Sequence, residues 1–210
     1  KTTIAAQGVS IAKRKGMIIS VAAGNNGNDG AGSLSSPCDV DSVLCVGAIK
    51  FDSTRAGFSS EGPTFDGRIK PEVVTIGEAC HFMGLNDTVY RGNGTSFATP
   101  LMTGLVACLV QAHPARSNFE VIDALKNNSN RAANPNNIYG WGIPQGCQVD
   151  SVLSFLDSTT TLSEQKPFVF NLFPNPALDY ITIRTPELLH SISIIQLDGK
   201  NISTQMISAQ

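Results

Sequence analysis

Asn93-Gly-Thr-Ser-Phe-Ala-Thr-Pro100 sets a glycine-tight turn directly ahead of Leu101, Met102, Leu105, Val106, Ala107, Leu109 and Val110, a segment with no lysine or glutamate. A helix apolar nearly all the way round is one that the protein encloses. Pro100 is tolerated in a first turn, where its missing N–H has no intrahelical partner, and Pro114 after His113 stops the run, so a buried helix is predicted over residues 95–112. Its start carries the Ser96 hydroxyl to a place where unpaired N–H groups and the positive end of the dipole stabilise growing negative charge. That suits an acyl-transfer nucleophile. Taken alone, Gly-Thr-Ser reads as an N-cap, the ordinary use of serine or threonine there.

Upstream, residues 3–15 place Ile4, Ala5, Gly8, Val9, Ile11 and Ala12 at helical spacing and end in basic residues and Gly16, a helix with a sound C-terminal signal. Met17-Ile-Ile-Ser-Val-Ala-Ala23 is then a continuous apolar run, as a parallel strand covered on both faces requires. Further strands are predicted over 42–49 and 70–76, and short helices over 118–126 and 149–156. Strands alternating with helices give an α/β fold, a mostly parallel sheet with flanking helices. Phe58-Ser-Ser-Glu-Gly-Pro63 and Asp66-Gly-Arg-Ile-Lys-Pro-Glu72 read, unaided, as loop. Cys80-His-Phe-Met-Gly84 is only a segment leading to the serine. After a polar linker the period turns to two at Ile181/Ile183 and Ile192/Ile194, with Asp198-Gly199 as a hairpin turn, which opens a small β-domain. An edge hairpin of the first domain is the alternative.

The 210 residues, 41% apolar with a net charge of −2, describe an ordinary soluble protein without the basic surplus of a nucleic-acid binder. No run reaches the roughly 18 apolar residues of a membrane span, since Thr103 and Gly104 interrupt the longest. The chain opens on Lys1 with neither initiator methionine nor signal peptide, and reads as an internal piece of something longer. The five cysteines show no C-x-x-C pair and no histidine at ligand spacing, so neither metal nor cofactor is expected. Cys45 and Cys108 read as core thiols, and an odd total forbids complete internal pairing.

A nucleophile at a helix mouth needs donors aimed at the oxyanion, and Asn25, just past the end of the first strand, is placed to supply a side-chain amide. By itself Gly24-Asn-Asn-Gly27 is a plain turn. Val21-Ala-Ala-Gly-Asn-Asn-Gly27, Phe58-Ser-Ser-Glu-Gly-Pro63, Arg68-Ile-Lys-Pro-Glu-Val-Val74 and Gly94-Thr-Ser-Phe-Ala-Thr-Pro100, in that order, resemble the subtilisin-like serine peptidases. The resemblance implies Ser96 as nucleophile, Asn25 as oxyanion donor, and Ala22, Ala23 and Gly24 as one wall of the primary specificity pocket. It also implies peptide or protein substrates. Thr99 and Phe97 stand where many members have serine and methionine.

Family order along the chain is Asp, His, Ser, so both partners of the serine belong upstream. His81 lies outside any His-Gly-Thr motif and reads as a surface or loop histidine; His113 ends the helix and His190 belongs to the tail. Phe170-Asn-Leu-Phe-Pro-Asn-Pro176, Asp179-Tyr-Ile-Thr-Ile183 and Ile192-Ser-Ile-Ile-Gln-Leu-Asp-Gly-Lys200 resemble the front of a type IX secretion C-terminal sorting domain. That implies export by a Gram-negative bacterium to the medium or cell surface, with the secretion machinery as partner. The expected organisation is the C-terminal part of a subtilase catalytic domain at 1–156, a linker at 157–166 and a partial β-sandwich at 167–210. A non-catalytic surface binding protein on the same fold is the alternative. A lipase or esterase fits less well, because Gly94-x-Ser96-x-Ala98 lacks the second glycine of a nucleophile elbow.

Overall fold

A computed structural model describes residues 3–41 and 43–160, together with strand segments at 171–173, 182–184, 191–195 and 201–206. The chain divides into two compact units, 1–160 and 161–210.

Helix α1 (Ile4–Arg14) starts where the Thr3 hydroxyl accepts from Ala6 N, and it ends with Lys13 and Arg14 facing the negative end of its dipole. Three parallel strands follow: β1 (Ser20–Ala22), β2 (Leu44–Ile49) and β3 (Val73–Ile76), in the order β1-β2-β3 with Ala22 opposite Val46 and Val46 opposite Val73. Every residue of β2 is buried, which is why Leu-Cys-Val-Gly-Ala-Ile lacks alternation. β1 is half-buried, because among the described residues it has a neighbour on one side only.

The segment ahead of the serine is an antiparallel hairpin that the sequence reading missed, β4 (Cys80–Met83) with β5 (Val89–Gly92). Helix α2 (Thr95–Ala112) takes the predicted bounds. Its core stripe is Ala98, Met102, Val106 and Leu109, packed with Leu44, Val46 and Val73 of the sheet. The enclosure expected all round is not found: Leu101 is 55% and Val110 41% exposed, on the side away from the sheet. Length and composition alone would let α2 cross a bilayer, yet its core stripe packs on the sheet. Pro100 is its sixth residue, past the first turn, so the Ser96 carbonyl loses the N–H that would have bonded it.

Helix α3 (Asn118–Asn127) opens on a capping box of Ser117 and Glu120. Helix α4 (Gly146–Thr160) is longer than predicted, so the first residues of the expected linker are helical. In the second unit, β6 (Asn171–Phe173) pairs antiparallel with β7 (Thr182–Arg184), and β8 (Ser191–Ile195) with β9 (Asn201–Met206). The expected β-sandwich packing, the rest of the linker and His190 lie outside the described residues.

Cys38 and Cys45 form a disulfide, Cα to Cα 5.2 Å, correcting the reading of Cys45 as a core thiol. Cys108, read as buried, is exposed because it lies on the open side of α2. The loop between Cys38 and Cys45 is held by a buried ion pair. Lys70, 1% exposed, bonds Glu72 Oε1 and donates to the carbonyls of Val40 (3.2 Å) and Val43 (3.4 Å), while Glu72 Oε2 accepts from Cys45 N at 2.8 Å. Burial pushes the Lys70 ammonium down and the Glu72 carboxyl up, each opposed by the other's charge. Removing one partner strands the other, so Lys70→Met is expected to destabilise the chain by about 3–5 kcal/mol in urea unfolding. A midpoint unchanged from wild type would contradict this account of the pair.

His113, 4% exposed at the C-cap of α2, lies between Asp157 (Nδ1 to Oδ2, 2.5 Å) and Asp150 (Nε2 to Oδ1, 3.0 Å) of α4. Arg116 joins Asp157 to Glu120 of α3. The Asp157 bond, helped by Asp150 and opposed by burial, raises the imidazole above its ordinary 6.5. A raised folded value stabilises fully below about pH 6.5 and loses that contribution as pH climbs through the folded pKa. The stability gap between wild type and His113→Gln, read from urea midpoints, is therefore expected to shrink from about pH 6 to about pH 9. A gap that grows over that range would reverse the sign.

Candidate active site

The first strand ends where β1 gives way to a turn whose backbone is braced on two sides. Ala23 N donates to Val46 O at 2.9 Å, Ser35 N to Ala23 O at 2.8 Å and Ser60 N to Gly24 O at 3.0 Å. Gly24 has φ +111°, and a Cβ there would stand 2.3 Å from Ser35 Oγ, so the position admits only glycine. The segment read as plain loop supplies the second brace. Ser60 Oγ accepts from Asn26 N at 3.0 Å, Phe58 O from Gly27 N at 2.8 Å, and Ser59 Oγ accepts from Ala48 N of β2 at 3.0 Å. Arg55 ties the two together, donating to Gly27 O at 3.0 Å and Ser59 O at 2.7 Å while pairing with Glu61 at 3.2 Å.

Asn25 stands at the exposed tip of this turn and reaches the N-terminus of α2. Its Oδ1 accepts from Thr95 N at 2.9 Å and from Thr95 Oγ1 at 3.0 Å. The same hydroxyl lies 3.3 Å from Gly24 N, which donates to it. Thr95 is 1% exposed, so its end of the linkage is shielded from water, while Asn25 stands at the surface. With the amide oxygen occupied, Nδ2 is the group left to donate elsewhere. Turning the amide over would set its NH₂ against the Thr95 N–H, donor to donor, so its orientation is fixed.

Gly94, at φ +154°, leaves without a side chain the spot beside these groups, which a Cβ would fill at ordinary van der Waals distance. The point where its Cβ would stand is 3.4 Å from Asn25 Nδ2 and 3.7 Å from Ser96 N. Ser96 N is among the first N–H groups of the helix, which have no carbonyl four residues back to bond. Two donors therefore flank one small gap. Ser96 itself is exposed, and its hydroxyl bonds no described residue. The unaided N-cap reading of that hydroxyl gives way here, because Gly94 is the N-cap and Ser96 is the second helical residue.

Of the expected pocket wall, Ala22 is half-buried and Ala23 fully buried. The Ala23 methyl packs against Cys38 and Cys45, so at that position only the backbone is turned toward the site. No described histidine bonds Ser96. His113 lies seventeen residues further along α2, about 25 Å away at 1.5 Å per residue. His81 is exposed on β4 opposite Arg91. Among the described residues no group of three His, Cys, Asp or Glu side chains is placed to hold a metal ion. Thr95 was absent from the sequence reading. A hydroxyl one residue before a candidate nucleophile carries no signal of its own until the turn at Asn25 is known to face it.

A family description headed "Subtilase family" matches residues 1–142, and one headed "Secretion system C-terminal sorting domain" matches residues 171–210. M-protease of Shouchella clausii is 34% identical over 137 residues, 65% of this chain and 33% of that protein. Serine protease AprX of Bacillus subtilis is 32% identical over 149 residues, 60% of this chain and 34% of the relative. Subtilisin Savinase of Lederbergia lenta is 33% identical, covering 65% and 47%. The chain thus spans between a third and a half of the length of these relatives. Among solved structures, the self-cleaved protease domain of PatA superposes with a TM-score of 0.59 at 25% identity, over 71% of this chain and 55% of that one. The Clostridium perfringens CspB protease shares the fold, with a TM-score of 0.54.

Proposed function

The chain belongs to the subtilase family, and on that premise we propose that it is the nucleophile-bearing part of a secreted serine endopeptidase. The observation that carries the reading is the clamp of Asn25 by Thr95, which aims a side-chain amide into the gap beside Ser96 N. In the proposed reaction Ser96 Oγ attacks the scissile carbonyl and its proton passes to a histidine. That histidine and its orienting carboxylate come from a segment upstream of Lys1, in keeping with the family order Asp, His, Ser. The carbonyl oxygen, now negative, is received between Asn25 Nδ2 and Ser96 N, with the positive end of the α2 dipole behind it. The histidine then protonates the leaving amine, an acyl group stays on Ser96, and water releases it. The acyl side of the substrate lies along the backbone of Ala22, Ala23 and Gly24.

Residues 171–210 support export through the type IX machinery of a Gram-negative bacterium, with release to the medium or retention at the cell surface. Because Asp157 holds His113 and Arg116, the tail begins after Thr160 and not at Asp157. The complete protein truncated after Thr160 is expected to keep peptidase activity and lose export. Secretion at the wild-type level would reject the sorting role.

The catalytic proposal is tested in the complete enzyme. Asn25→Ala is expected to lower kcat far more than it raises KM, because the amide bonds an oxygen that is anionic only in the transition state. The expected loss is on the order of 10²–10³-fold, the size that removal of this kind of donor has in subtilisin, a member of the same family. Thr95→Val removes the hydroxyl bond to the amide oxygen while the backbone N–H of residue 95 still holds it, and should lower kcat less, by roughly tenfold, without removing the donor. Asn26, whose backbone N–H alone bonds Ser60, is the control. Equal small effects at Asn25 and Asn26, with stability lowered in parallel, would mean that the turn is only a turn.

A further inference from the structure

Thr95 and Phe97 flank Ser96 on opposite sides, because side chains two positions apart on a helix diverge by about 200°. Thr95 is turned to Asn25; Phe97 is turned to the β4–β5 hairpin. Its ring lies 5.4 Å from that of Phe82, which stacks on Tyr90 at 5.9 Å. Phe82 and Tyr90 are cross-strand partners, so they share one face of the hairpin with Cys80 and Gly92. Gly92 makes room for the approach: a Cβ there would stand 2.4 Å from Phe97 Cζ. The outer rungs remain open to solvent, Phe82 at 40% and Tyr90 at 49% exposed. A run of three rings that starts from the residue next to Ser96, its outer two part exposed, is a surface with a missing occupant.

We propose that the Phe97–Phe82–Tyr90 ladder receives the residues that follow the scissile bond of the substrate, and that it selects large apolar side chains there. The inference rests on Ser96 being the nucleophile, and it extends that reading to the substrate's leaving side. The flank toward Thr95 is taken by the oxyanion gap and by the acyl side along Ala22 to Gly24, which leaves the flank of Phe97 for the departing segment. At about 3.3 Å per extended residue, the two steps of the ladder accommodate at most about three residues of substrate. Phe82 and Tyr90 act by position and apolar contact, and take no part in bond making.

The test compares kcat/KM of the complete enzyme for two peptides with one acyl side, followed by Phe-Leu in one and Ser-Asp in the other. An anilide of the same acyl side, whose leaving group is a single ring, reports acylation of Ser96. For Phe82→Ser/Tyr90→Ser, the ratio of apolar to polar peptide is expected to fall on the order of tenfold. Tyr90→Ser alone, at the outermost ring, is expected to give a smaller fall and keeps the test available if the double variant does not fold. An anilide cleaved by wild type, with a peptide ratio unmoved in the variants, overturns the ladder and leaves the nucleophile standing. An anilide that wild type leaves uncut overturns the nucleophile and the ladder with it.

Discussion

One amide oxygen, Asn25 Oδ1, couples the end of the sheet to the start of the central helix by accepting both the N–H and the hydroxyl of Thr95. Neither element could hold that geometry on its own. The turn is fixed from below by Ser35 and from the side by Ser60, while the helix is fixed by Met102, Val106 and Leu109 sunk against the sheet. Two rigid bodies are thus brought together at one polar joint, and the donor left over on the amide points where the joint cannot use it. A side-chain oxygen that accepts two bonds from a buried residue has little freedom to drift, as the proposed oxyanion role requires.

The same economy is visible beneath the joint. Lys70 and Glu72 are charged residues in a place where charge is unfavourable, and they are held by each other and by bonds to three backbone groups between Val40 and Cys45. The loop they hold leads into β2, the strand that both its neighbours read for register. Electrostatics at one end of β2 and hydrogen bonding at the other therefore bear on the same small region. At the far end of α2, His113 and its two carboxylates fasten the helix to α4 and, through Arg116, to α3.

Periodicity carried most of the fold. The bounds of α2 could be read because glycine, proline and a largely apolar run without lysine or glutamate all agreed, and β2 because a doubly covered strand has no alternation to hide. The hairpin β4–β5 was illegible because Cys-His-Phe-Met and Val-Tyr-Arg-Gly alternate in no consistent way, their aromatic face being shared with Phe97 from another element. The disulfide was hidden for a related reason: Cys38 is in a loop, Cys45 is mid-strand, and nothing local brings them together. At the candidate site, Ser96 and Asn25 carried motif signals, whereas Thr95 depends on a contact across seventy residues. Lys70 and Glu72 read only as the end of a loop and the start of a strand, since nothing in the sequence shows that two charges meet in the interior.

Cys38 and Cys45 are both wholly inaccessible, packed against Ala23 behind the turn that bears Asn25. Thiol–disulfide exchange requires a thiolate to reach a sulfur in line, and the folded unit offers no such approach. The two cysteines are only seven positions apart, so little chain entropy opposes their meeting before the strands assemble. A bond with these surroundings is one that forms most readily before the strands pack over it. In the folded unit both sulfurs are enclosed, Cys45 within β2 and Cys38 against Ala23. With β2 laid between β1 and β3, a soluble thiol reaches that link only if this part of the sheet opens.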